Sequence, residues 1–327
     1  MIAASAYPRI AAVVIGRNEG ARLSACLASL RERVSEIVYV DSGSIDGSVG
    51  HARATGARVV ELDPARPFTA ARARNAGLAA LDRACVELVQ LVDGDCSVAP
   101  GWIDTAAAFL AARADVAIVC GRRREEHPEA SVFNRLCDIE WQGPAGEARA
   151  CGGDALARLA ALDAVGGFCD RLIAGEEPEL CLRLRHAGWK IWRLDAEMSR
   201  HDARMTRFGQ WWRRSLRAGH AFAEGAHLHG AAPKRHWVAE TRRALFWGAA
   251  LPALIVLAGI WQPAAVALAG IYPLQVLRLA ARKGLGHRAA WEWAAFTVLG
   301  KFAEAQGVLR FHSGRLFSRR ARLIEYR

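Results

Sequence analysis

Two aspartates separated by one glycine, Asp93-Gly94-Asp95, close the apolar run of residues 88–92. Carboxylates two apart at a strand end project into one crevice, and the glycine between them permits a close approach to the backbone. Left alone the two charges repel, so a divalent cation is the natural third party. Carboxylate oxygens suit Mg²⁺ or Mn²⁺, and a metal held this way can bridge a diphosphate leaving group. A lone Asp-Gly-Asp is equally a solvated turn; its neighbours along the chain give it weight.

Four further segments lie in order along the first 200 residues. An apolar strand over residues 11–15 runs into Gly16-Arg17-Asn18-Glu19-Gly20. A second strand over 37–40 ends in Asp41-Ser42-Gly43-Ser44-Ile45-Asp46-Gly47-Ser48. A helix-like stretch carries Arg72, Arg74, Asn75 and Gly77. Finally, Gly175-Glu176-Glu177-Pro178-Glu179-Leu180 leads into a helix that ends near Gly188. This ordered set resembles the family 2 glycosyltransferases, which have the GT-A fold, across about residues 9 to 225.

The resemblance implies roles. Asp41 would contact the nucleotide base, with Asn18 and Glu19 flanking it beside Arg17. Arg74-Asn75-x-Gly77 would face the diphosphate, for which a guanidinium is a natural bidentate partner. Asp93 would lie near ribose and metal, Asp95 would ligate the metal, and His201 would complete its shell. The family's general base sits in a Glu-Asp pair; here the pair is Glu176-Glu177, so Glu177 is the expected base and Glu176 the alternative. Gly152-Gly153-Asp154 would line the acceptor side, with Gly153 and Asp154 nearest. The residues also allow plainer readings. Asp41 or Asp46 can cap the next helix, Glu179 can be a first-turn charge favoured by the helix dipole, Arg72 a surface charge, and His201 a structural histidine.

These groups need a frame. Residues 11–15, 37–40, 58–62 and 86–92 read as strands, with helical patterns between them and a helix over 70–82. Alternating β and α predicts a parallel sheet with helices on both faces, ligands binding beyond the carboxyl ends of the strands. Residues 116–200 read as a mixed continuation: a strand over 116–120, a solvated charged loop over 122–128, helices over 155–165 and 178–187, and a strand over 190–194. The expected fold is therefore α/β, a GT-A Rossmann-like nucleotide-binding mixed sheet with helices on both faces, followed by a C-terminal helical hydrophobic segment.

Charge divides the chain. Of its 44 Lys/Arg and 33 Asp/Glu, residues 234–327 hold 15 and 4, so residues 1–233 are neutral. A neutral catalytic part argues against nucleic acid as a partner. Eight scattered cysteines form no C-x-x-C pair, which argues against a structural zinc site and fits buried thiols in a reducing compartment. No N-terminal signal peptide is expected, because the first strand begins almost at once.

The domain division expected is 1–233, catalytic, and 234–327, membrane-associated. The second part comprises a hydrophobic hairpin over 244–280, an interfacial helix over 289–311 and a basic tail (Arg315, Arg319, Arg320, Arg322, Arg327) suited to an anionic leaflet. The hairpin's two uncharged runs are near the lower limit of about 17 residues for a spanning helix. Lys and Arg on both outer flanks place both ends in the cytoplasm. A buried helical hairpin is the alternative. Residues 208–214 look like a lid or interfacial helix and lack the Gln-x-x-Arg-Trp spacing of processive synthases, so a single sugar addition is expected.

The expectation is a metal-dependent inverting glycosyltransferase at the cytoplasmic face of the cell inner membrane. It would move a sugar from a nucleotide-sugar donor, a UDP-sugar first among them, to a glycan or lipid-linked acceptor of the bacterial cell surface. A nucleotidyltransferase would want a glycine-rich basic loop after the first strand, and Gly16-Arg17-Asn18-Glu19 is too short. A non-catalytic nucleotide-sugar-binding module would be expected to lose Asp95 or the glutamates, and all are present.

Overall fold

The computed structural model describes residues 9–317. Of the basic tail, only Arg315 falls within them. The chain forms two compact units. One comprises residues up to 127, 140–172 and 176–203; the other comprises 128–139, 173–175 and 204 onward.

The first unit is built on a mixed sheet of nine strands. β1 (Ile10–Gly16), β2 (Glu36–Asp41), β3 (Arg58–Glu61) and β4 (Leu88–Asp93) are parallel, in the order β3-β2-β1-β4. β1 and β4 are buried on both faces and accordingly read as continuous apolar runs. The register pairs Gly16 with Asp41 and Ile15 with Asp93, so both acidic strand ends lie on one edge of the sheet. β5 (Cys96–Val98) follows β4 directly.

Beyond β4 the sheet departs from the sequence reading. Ala155–Arg158 is a strand, β8, rather than the start of a helix; only Leu159–Ala164 is helical. β8 inserts antiparallel between β4 and β6, and burial in that slot overrides the helical preference of its alanines. β6 runs Val116–Glu125, so the charged stretch expected as a loop continues the strand. Its side chains alternate across the sheet: Arg122 pairs with exposed Asp195, while Arg123 and Glu125 turn inward. β9 likewise extends through Lys190–His201 and pairs with β6, β5 and the short β7 (Gly146–Ala148).

Three helices of this unit matter for the site. α1 (Ala21–Leu30) buries Leu23, Cys26, Leu27 and Leu30, which its helical spacing puts on one face. α3 (Ala70–Ala79) is capped by Thr69, whose hydroxyl accepts from Arg72 N at 3.1 Å. Gly77 lets α3 press onto the sheet: a Cβ there would lie 2.3 Å from Val13 Cγ1. α7 (Glu176–His186) begins with Glu176, Glu177 and Glu179, charges that its N-terminal dipole favours.

The second unit is helical. α8 (Phe208–His229) packs along α12 (Arg288–Leu316), with Leu216, Ala303 and Ile173 in one small apolar cluster. This packing groups α8 with the C-terminal helices, ahead of the expected boundary at residue 233. Between α8 and α12 run two apolar helical stretches, Val238–Trp261 and Pro263–Lys283, with mean hydropathy 2.0 and 1.5. Both are long and apolar enough to cross a membrane. Leu254, Val256, Leu257, Ile260 and Leu274 on them are exposed, and Trp261 at their junction is 90% exposed. Exposed apolar side chains on helices of this length are compatible with a membrane or a partner surface. α12, which covers the expected interfacial helix, is buried on two sides, at Ala294, Val298, Ala305 and Val308 on one and at Gly300, Ala303 and Gly307 on the other.

Candidate active site

Asp93 ends β4 and Arg74 projects from α3. The guanidinium donates to Asp93 Oδ1 and to Glu176 Oε1, both at 2.7 Å. Arg74 is itself nearly sealed from solvent. Burial alone would lower its pKa, but the charges of Asp93 and Glu176 outweigh that and hold it above its ordinary value. Arg123, from β6, stands opposite. Its Nη2 lies 2.8 Å from Asp154 Oδ1 and 3.6 Å from Asp93 Oδ2. Its pKa is also raised, Asp154 and Asp93 again outweighing burial.

Asp154 lies beneath Asp93. It is fully buried, accepting from the backbone N–H of Asp93 at 3.0 Å and from Ser199 Oγ at 2.6 Å. It thereby fixes the end of β4. Gly153 beside it leaves the space the cluster needs: a Cβ would sit 2.6 Å from Asp93 Oδ2 and 3.0 Å from Arg74 Nη2.

Asp95 meets His201 from the end of β9, with Oδ2 to Nε2 at 3.0 Å. Cys96 adds a third buried potential ligand to this pair. The other nitrogen of His201, Nδ1, is buried with no hydrogen-bond partner, 3.7 Å from Glu125 Oε2, and the ring stands edge-on to Trp141. Burial pushes the Cys96 thiol well above its ordinary pKa. The donors that face each other across 3.0 Å are the Asp95 carboxylate oxygen and the His201 imidazole nitrogen. The carboxylate suits Mn²⁺ or Mg²⁺, and a neighbouring imidazole favours the transition metal of the two.

At the opposite end of the strand edge, Asp41 is buried and its carboxylate is held by its own turn. It accepts from Tyr39 Oη and from the backbone N–H groups of Gly43 and Ser44, each at 2.8 Å, and from Ser44 Oγ. Asn18, with φ of 56°, joins this turn to the loop after β1: Ser44 Oγ accepts from its N–H at 2.9 Å and its Oδ1 accepts from Ile45 N at 2.8 Å. Glu19 is buried beside it and pairs with Arg22 at 2.6 Å. Asn75 faces elsewhere on α3, pinning the Phe168–Asp170 loop through bonds to Phe168 N and O and to Asp170.

The two glutamates of α7 part company. Glu176 faces Arg74. Glu177 Oε1 turns toward Cys151, accepting from its N–H at 2.6 Å and its thiol at 2.9 Å, and toward the Cys181 thiol at 3.0 Å. Glu179 is bound by Arg183 one turn on.

The structure thus brings Arg74, Asp93, Gly153, Asp154 and Glu176 into one cluster, and Asp95 and His201 into another on the same strand end. Arg123 and Glu125 are the residues the sequence reading missed. The signal was present in the two-residue alternation of Arg122-Arg123-Arg124-Glu125, masked by its density of charge.

Comparison with known proteins bears on the fold that carries this site. Residues 12–144 match the family model for glycosyl transferase family 2. A 72-residue stretch is 35% identical to a TPR repeat-containing protein of Synechococcus elongatus, covering 22% of this chain and only 18% of that protein's length. Among solved structures, the fold is similar to the mannosyltransferase PcManGT from Pyrobaculum calidifontis, in complex with GDP-Man and Mn²⁺, with a TM-score of 0.66 and 20% identity over 93% of this chain and 88% of that one. S. aureus TarS 1-349 superposes with a TM-score of 0.52 and 15% identity over 94% of this chain and 92% of that one. Glucosyl-3-phosphoglycerate synthase from Mycobacterium tuberculosis, with Mn²⁺, UDP and its product, does so with a TM-score of 0.50 and 21% identity over 67% of this chain and 79% of that one. Residues 12–144 are thus similar to glycosyl transferase family 2, and the fold is the one these glycosyltransferase structures share.

Proposed function

We propose that the protein is a metal-dependent inverting glycosyltransferase that moves a sugar from a nucleoside-diphosphate sugar to an acceptor hydroxyl. The observation that carries this is the end of β4, where Asp93 is clamped by Arg74 and Asp95 meets His201 across 3.0 Å. The similar structures contain GDP-Man with Mn²⁺ and, in another TarS complex, UDP-GlcNAc. Donors of this chemical class are therefore the ones to test, UDP-sugars first.

In this reading Asp95 and His201 hold Mn²⁺ or Mg²⁺, with Asp93 near the metal and the ribose. The bound cation would neutralise charge developing on the departing diphosphate. The Asn18–Ser44 and Asn18–Ile45 bonds fix the loops that flank the nucleotide base, beside Glu19 and Asp41. Arg74 and Arg123 hold Asp93 in one orientation, and Asp154 sets the backbone beneath it.

Inversion needs a base that takes the acceptor proton as the anomeric carbon is attacked in line. Glu176 has its carboxylate committed to Arg74. Glu177 lies next to it, hydrogen-bonded to the Cys151 backbone and to two thiols rather than to a guanidinium, and is assigned the base role. Gly153 keeps open the floor on which donor sugar and acceptor meet.

The two apolar helices and their flanking cations, Arg242 and Arg243 before and Arg282 and Lys283 after, support attachment to the cytoplasmic face of the inner membrane. A lipid-linked or cell-surface glycan acceptor suits that location. Donor turnover by the purified full chain, with and without Mn²⁺, tests the assignment; activity untouched by metal removal overturns it.

A further inference from the structure

Three ligand-type atoms converge on the buried side of α7, in a group separate from Asp95 and His201. Cys151 Sγ and Cys181 Sγ lie 3.7 Å apart, and Glu177 Oε1 lies 2.9 Å and 3.0 Å from them. All three residues are buried, Cys151 and Glu177 retaining slight exposure. Both cysteines are free. A third buried thiol, Cys120, interacts electrostatically with Cys151 and Cys181.

We propose that Cys151, Cys181 and Glu177 form a second metal site, selective for thiophilic divalent cations of the Zn²⁺ and Cd²⁺ class, whose occupancy shuts off catalysis by sequestering Glu177. The spacing carries the site. Zinc–thiolate bonds of about 2.3 Å at tetrahedral angles put two sulfurs about 3.8 Å apart, and the observed separation is 3.7 Å. The carboxylate need retreat only by about 0.5 Å to reach an ordinary zinc–oxygen distance. Three protein ligands leave a fourth position for water. Two sulfurs disfavour Mg²⁺ and Mn²⁺ at this site, cations for which the Asp95 carboxylate is the better ligand.

Binding exchanges protons for metal. Each thiol gives up its proton to solvent as its sulfur becomes a thiolate ligand, and no oxidant or reductant is involved. Burial pushes the Cys181 thiol up to about 12, and the Cys151 thiol is raised by its contact with Cys181 and by burial. Without metal, Glu177 Oε1 keeps the hydrogen bonds it accepts from these two residues. The inhibitory consequence rests on Glu177 being the base; the binding site does not.

The test titrates the full-length, detergent-solubilised protein with Cd²⁺ in excess Mg²⁺. Thiolate-to-metal charge-transfer absorption and donor turnover are read together. The expected result is one equivalent of charge-transfer signal, absent from Cys181→Ser and from the Cys151→Ala/Cys181→Ala double variant, and present in Cys96→Ala. Glu177→Gln should weaken binding by at least about 10-fold, as loss of a ligand does. Thermal melting confirms that each variant is folded, and the near-isosteric serine guards against collapse of the alanine pair. No signal in the wild type, or a signal that survives in the double variant or vanishes in Cys96→Ala alone, overturns the site. Stoichiometric binding through these residues with undiminished turnover upholds the site and instead contradicts Glu177 as the base.

Discussion

Arg74 donates to Asp93 at 2.7 Å from a position almost closed to solvent. The same guanidinium reaches Glu176, also at 2.7 Å. One buried cation thus ties the strand that carries the Asp-Gly-Asp motif to the helix that carries the candidate base. Removing it takes away the cation nearest to both carboxylates, with Arg123 standing farther from Asp93, at 3.6 Å. Arg74→Met is expected to lower the unfolding free energy by about 3 kcal/mol, the usual cost of breaking a buried pair by deleting one partner. Chemical denaturation measures this. Arg74→Lys, which keeps the charge but cannot span two carboxylates with a fixed fork, should recover part of the stability and little of the activity.

Gly153 has no room for a side chain. The methyl of Gly153→Ala would have to displace Asp93 Oδ2, which Arg74 holds in place. The substitution is expected to cost about 1–3 kcal/mol of stability, as overpacking does, and to lower turnover at saturating donor. A fully active Gly153→Ala would show that the position of Asp93 matters little.

The two glutamates are separable by experiment. Glu177→Gln keeps shape but cannot accept a proton, so transfer should fall by about 10²–10⁴-fold while donor affinity stays near wild type. Glu176→Gln weakens the hold on Arg74 and should act through Asp93, raising the donor requirement as well as slowing turnover. Steady-state kinetics at varied donor and acceptor distinguishes the two. If Glu177→Gln is near wild type and Glu176→Gln is dead, the base is Glu176.

The apolar hairpin makes a physical claim about where the protein resides. Exposed Leu254, Val256, Leu257 and Ile260 would be costly in water at about 25 cal/mol per Å² of apolar surface. The full-length chain should remain with membranes through a high-salt wash and be released by detergent. Recovery in the soluble fraction without detergent would mean that another protein surface covers the hairpin.

Much of the site could be read in the sequence because it lies at the ends of short, strongly patterned elements. Apolar runs ending in Asp41 and Asp93 gave both the strands and the edge they share, and α7 began at its acidic cluster. What escaped was decided by long-range pairing. Ala155–Arg158 has a helical composition, and only the slot between β4 and β6 makes it a strand. Arg123 looked solvated among five consecutive charges, and its inward turn follows from β6 continuing past Cys120. Likewise, the Cys151–Glu177–Cys181 convergence joins residues about 30 apart with no spacing signature; only the packing of α7 brings them together.

The central claim, that Asp95 with His201 holds a catalytic cation, is tested most directly by one measurement. Donor turnover is followed for wild type and Asp95→Ala in Mn²⁺, in excess EDTA, and after Mn²⁺ is restored. The expected result is activity in Mn²⁺, loss in EDTA, recovery on readdition, and a fall of about 10³-fold or more in Asp95→Ala, since a metal supplies several kcal/mol of charge stabilisation to the transition state. Full turnover in EDTA, or an Asp95→Ala enzyme as active as wild type, would contradict it.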